Sequence, residues 1–116
     1  MQFDVEIVLR ERNYAVTERI EHGRDPQAWA EGDVETVLKQ ILLAIDRVKN
    51  RSTGNRHVAL RGFSWIVEPV DGQVVIAIEI PMGAAVAGPF AIEAGRLDGM
   101  IRRVIAAAAQ AGPTVH

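Results

Sequence analysis

The chain has no cysteine in 116 residues, and that one absence excludes disulfides, thiolate metal sites and thiol nucleophiles together. Proline is sparse and no low-complexity tract occurs. With 48% hydrophobic and 24% charged residues, this is the composition of a folded globular chain. Excess positive charge is also missing. The net charge of −2 provides no general field to attract nucleic acid or an anionic membrane. No apolar run approaches the roughly 20 residues of a membrane span. Acidic residues stand in Met1-Gln2-Phe3-Asp4-Val5-Glu6, where a signal peptide needs a basic stretch, so the expected location is cytoplasmic. The length suits a single soluble domain, 1–116, with a core of its own.

What is present is alternation. From Gln2 to Arg10, Phe3, Val5, Ile7 and Leu9 share one face, with Asp4, Glu6 and Arg10 on the other, which predicts a half-buried strand. The pattern resumes with Tyr14, Val16 and Ile20 against Ala15, Thr17, Arg19 and Glu21, predicting a hairpin. A two-residue turn at Glu11-Arg12 sets Ile7 opposite Val16, Phe3 opposite Ile20 and Asp4 opposite Arg19, pairing apolar with apolar and acid with base. A turn at Arg12-Asn13 keeps the same faces. A Gly- and Pro-containing connector follows, in which Trp29 is expected to plug onto the core. Asp33 reads as an N-cap for a helix over about 34–49, with Val34, Val37, Leu38, Ile41, Ile45 and Val48 at helical spacing.

The second half repeats this plan, so the halves are about 2–50 and 57–110. A strand over 57–68, a turn around Asp71-Gly72 and a strand over 74–80 set Val67 opposite Ile76 and Trp65 opposite Ile78. Residues 82–89 are small and include two glycines and a proline, and are expected to form a flap or interface loop. A helix over about 91–110 follows, buried along Leu97, Met100, Ile101, Val104, Ile105 and Ala108 and stopped by Gly112-Pro113. Gly95 and Gly99 inside it are expected to permit close packing against the sheet or a second copy of the chain. The predicted fold is α+β: a ββαββα two-layer sandwich, with a four-stranded sheet carrying both helices on one face.

The residues out of place are few. The outer side of the second hairpin carries Val58, Leu60, Ile66, Val75 and Ala77, and Val86 follows in the loop; this is more apolar surface than water favours and marks an interface. Glu18 stands on the apolar face of its strand and Arg61 on the same face of the third, so the two are placed to pair. Glu79 lies on the opposite face, across from Ser64. Desolvation would fit Glu18 for acid or base chemistry, but long charged side chains at sheet ends keep their heads in water. Glu18, Arg61 and Glu79 are thus weak catalytic candidates.

A basic stretch, Arg47, Lys49, Arg51, Arg56 and Arg61, offers Arg51 and Arg56 as an anion site, although cations also suit a helix C-terminus and this stretch has no aromatics for base stacking. The 82–89 loop lacks the spaced glycines and Lys of a phosphate loop. His22, His57 and His116 are scattered, so neither a metal nor any other cofactor is expected. No motif names a reaction. The leading expectation is a non-catalytic interaction or assembly domain, a homo-oligomer that self-associates through the outer face of its second hairpin. The alternative is a small-molecule-binding protein or small enzyme with a pocket between the sheet and the 82–90 loop.

Overall fold

The computed structural model describes residues 1–12, 14–49 and 60–111. Within them lie β1 (Gln2–Leu9), β2 (Ala15–Glu21), a 3₁₀ turn (Pro26–Ala28), α1 (Glu31–Lys49), β3 (Ser64–Val70), β4 (Gln73–Ile80), β5 (Gly83–Phe90) and α2 (Ala94–Ala111). The fold is α+β, as expected, but its order is ββαβββα and its sheet has five strands in the order β2-β1-β5-β4-β3, antiparallel throughout. The expected 82–89 loop is the fifth strand, and it is the central one. The two hairpins are therefore not neighbours; β5 joins them, and β2 and β3 form opposite edges.

Both hairpins keep the faces that the alternation predicts, and the first takes the pairing of the Glu11-Arg12 turn rather than that of Arg12-Asn13. Ile7 pairs with Val16, Phe3 with Ile20 and Asp4 with Arg19. Val67 pairs with Ile76 and Trp65 with Ile78. Asp71 and Gly72 both take the positive φ that a tight hairpin turn demands, at 50° and 81°. In β1, in β4 as far as Ile78 and in β5 as far as Ala87, every second side chain is buried on one face; past the irregularity at Gly88 the next buried residue is Phe90.

Why β5 is built from small residues is visible in its neighbours. It pairs with β4 through Ile80 opposite Gly83, so Pro81-Met82 is a two-residue turn. Opposite Leu9, Gly83 lies so close to β1 that a Cβ would stand 2.2 Å from the Val8 carbonyl oxygen. Ala85 and Ala87 are buried beneath the helices. Gly88, at φ 130°, precedes a cis proline, and the β4–β5 pairing shifts there between Val74 and Ile76. A side chain at Gly83 would force two strand backbones apart, and one at Gly88 would crowd the Val74 carbonyl oxygen at 3.1 Å in a φ that side chains rarely adopt.

Both helices cover the inner face. From α1, Val34, Val37, Leu38, Ile41, Ala44, Ile45 and Val48 are buried; from α2, Leu97, Met100, Ile101 and Val104. An edge-to-face chain of rings runs through the core, Phe3 to Phe90 at 5.0 Å and Phe90 to Trp29 at 5.1 Å. Trp29 is 1% exposed and donates its indole N–H to the Arg24 carbonyl, so the connector is plugged into the core as expected. Arg96 of α2 donates to the Gln27 and Trp29 carbonyls, and Arg103 pairs with Glu31 at the start of α1.

Gly95 and Gly99 do not pack against the sheet, one of the two partners expected for them. A Cβ on Gly95 would meet only a Glu93 carboxylate oxygen at 4.0 Å, and one on Gly99 the flexible end of Arg103. The expected strand start at residues 57–59, the side chain of Val58, the anion candidates Arg51 and Arg56, and the helix stop at Gly112-Pro113 lie outside the described residues.

These contacts separate two kinds of glycine. Gly83→Ala is expected to destabilise the domain by about 1–3 kcal/mol through overpacking of the β1–β5 seam. Gly95→Ala is expected to stabilise it by about 1 kcal/mol through helix propensity alone. Urea denaturation of the two variants beside the parent checks both signs.

Candidate functional site

The side of the sheet away from the helices can be read in rows across the strands. One row runs Ile66, Ala77, Val86, Glu6, Thr17 from β3 to β2. The next runs Ser64, Glu79, Ala84, Val8, Ala15. The small Ala77 between Ile66 and Val86 leaves a trough over β4. With strands about 4.8 Å apart, its walls stand roughly 10 Å from each other. An open depression of about 360 Å³ lies there, lined on this side by Ser64, Ile66, Ala77, Glu79, Ala84 and Val86.

Ile66 is 56% exposed and Val86 42%, and Val8 adds a further exposed side chain on β1. Of the expected interface residues, the structure brings Ile66, Val75, Ala77 and Val86 onto one outer surface. Leu60 does not join them. It is buried in the core ahead of β3. Sequence reading left out Val8 and Ala84, because their place beside Val86 follows only from the insertion of β5.

The weak catalytic candidates are not brought together. Glu18 was expected to meet Arg61, which requires β2 and β3 to be neighbours. At opposite edges, they are separated by four strand spacings, roughly 19 Å. Glu18 instead accepts from Arg47 of α1 at 2.8 and 3.1 Å, at an edge open to water. Such exposed pairs stabilise little. Arg61 is exposed before β3, and Glu79 is exposed on the outer face across from Ser64. Nor is there a flap to enclose a pocket, since residues 83–90 are strand and pair on both sides.

A second polar group gathers where α1 begins. Asp33 is not the N-cap. It stands three residues inside the helix after Ala30, and its Oδ2 reaches back to accept from the Ala30 N–H at 2.9 Å, as the third helical residue of a capping box does. Its other oxygen lies 3.2 Å from His22 Nε2 and 3.6 Å from Arg24 Nε. An ionised carboxylate only accepts, so His22 Nε2 carries the hydrogen. The His22 ring also packs edge-to-face on Trp29, at 5.8 Å. The Ala30 hydrogen bond holds the Asp33 carboxyl below the ordinary aspartate range. Its partial burial opposes this, while the His22 hydrogen bond and the Arg24 and His22 charges add to the lowering. The cluster closes the connector onto the helix.

Among the described residues, no three His, Asp or Glu side chains are placed to hold a metal ion, and no helix is long and apolar enough to cross a membrane. No protein-family model, curated protein or solved structure matches the chain.

The lowered Asp33 pKa makes a pH prediction. A carboxylate favoured in the folded state contributes stability above its ordinary value of 3.8 and loses that contribution as the pH falls through the lower folded value. The stability difference between the parent and Asp33→Asn is therefore expected to be full near neutrality and to shrink below pH 3.8. Denaturant titrations at several pH values check this; a difference that grows on acidification contradicts it.

Proposed function

We propose that this domain is a non-catalytic interaction module that binds another protein through the outer face of β3, β4 and β5. The supporting observation is the contiguous row Ile66, Ala77, Val86, left open to water across three adjacent strands. Isolated exposed apolar side chains are ordinary; a run of them over a trough marks an interaction surface. Apolar surface removed from water is worth about 25 cal/mol per Å², so covering Ile66, Val86 and Val8 contributes a few kcal/mol to association. Among the described residues, no element packs over these side chains, because both helices lie on the opposite face.

The small-molecule alternative has one observation in its favour, the depression of about 360 Å³. Its polar side chains, Ser64 and Glu79, sit at one end and pair with each other in register. A protein surface uses the whole row, whereas a small ligand would use only part of it.

Ile66→Asp, at an exposed position on an edge strand, is expected to leave stability within about 0.5 kcal/mol of the parent, and Val86→Asp to cost about 1 kcal/mol because it sets a second carboxylate opposite Glu6 in the central strand. The docking test uses peptides selected from a random library on the intact protein and counter-selected on the double variant. Bound peptides are expected to shift the methyl resonances of Ile66 and Val86. Shifts confined to the helix layer, or the absence of any selected peptide, would contradict this reading.

A further inference from the structure

The charges around the trough define its partner more narrowly. Within the described strands, the outer face carries five acids, Asp4, Glu6, Glu21, Glu68 and Glu79, and one cation, Arg19. Arg19 is already committed to Asp4 at 3.0 Å. Glu6 stands beside Val86 in the apolar row. Glu68 follows Ile66 by two residues along β3, and Glu79 follows Ala77 by two along β4. Three glutamates thus rim the apolar trough, and the described strands place no cation between them.

Resting on the docking reading above, we propose that the occupant of this face is a cationic amphipathic segment of a different protein, placing one row of apolar side chains in the trough and Lys or Arg beside Glu6, Glu68 and Glu79. The trough lies over a single strand and admits one line of side chains, such as one ridge of a helix. A cation one turn away on the same helix face then meets the carboxylate rim. Like charges placed opposite one another disfavour the wrong partner, so the same rim turns away nucleic acid and anionic lipid.

It also turns away a second copy of this chain. A two-fold, face-to-face pair presents the same surface twice and brings Glu6, Glu68 and Glu79 of each copy into one interface, where the described strands supply no cation but Arg19. A copy could bring Arg102 or Arg103 to the rim only by offering its helix layer, and such a head-to-tail contact does not close on itself unless its rotation makes a ring. On this proposal a partner of opposite charge takes the place of the self-association expected from the sequence.

Peptides selected on this face provide the test. The expected result is a set with apolar residues at helical spacing and a net positive charge. Synthesised, their consensus is expected to bind the parent at least tenfold more tightly than the Glu68→Lys/Glu79→Lys variant, and more weakly as salt rises. The variant is expected to bind the charge-reversed consensus instead. Neutral or acidic peptides that nonetheless map to Ile66 and Val86 would overturn the charge proposal and leave the docking reading standing. No peptide on this face would overturn both. Native mass spectrometry of the free protein at micromolar concentration is expected to give a monomer; a dimer or an oligomer ladder that Ile66→Asp dissolves would also overturn the proposal, in favour of a second copy.

Discussion

Every other relation in this domain depends on the backbone of β5 fitting between β4 and β1. The seam closes only because Gly83 has no side chain to strike the Val8 carbonyl, and because Gly88 can take its left-handed conformation where the β4 register shifts. Ala85 and Ala87 keep the inner surface of the strand low, and the bulk above it comes from the helices and from Phe90, which meets both Phe3 and Trp29. A strand with larger residues at these places would have more β propensity of its own but no room.

The same insertion creates the outer surface. Without β5 the apolar outer positions of the second hairpin would end at Ala77, and Val8 would sit alone among charged neighbours on the first. With it, Val86 and Ala84 bridge them, and Glu6 is carried to the edge of a patch contributed mainly by the other half. Apolar floor and acidic rim thus come from strands far apart in the chain.

The sequence was most legible where side chains alternate. The faces of both hairpins could be read from parity, because a one-residue slip would turn every apolar side chain into water, but parity left two turns open for the first hairpin, whereas Asp71-Gly72 also set the register of the second. The two helices were legible for the equivalent reason at helical spacing. β5 was not, because Gly83, Ala84, Ala85, Ala87, Gly88 and Pro89 are residues that loops favour, and its strand character comes from pairing on both sides. The available signal was Pro81-Met82 as a two-residue turn, followed by a segment as long as β4.

The other errors follow from the missing strand or from reach. Alternation puts Glu18 and Arg61 on one face, but they could meet only across neighbouring strands; with β1, β5 and β4 between them, Glu18 takes Arg47 from α1. Leu60 was counted with the outer face because a strand was expected to begin before it; the strand begins at Ser64 and Leu60 turns into the core. Asp33 was correctly assigned to the start of α1, but its carboxylate reaches back to Ala30. The central structural claim is that residues 83–90 are the middle strand and not a flap over the sheet, and backbone hydrogen exchange on this segment tests it most directly. Amides of Ala85, Val86 and Ala87 that fall in the slowest-exchanging class, with those of β1 and β4, are the predicted result; exchange at the rate of an exposed loop would contradict it.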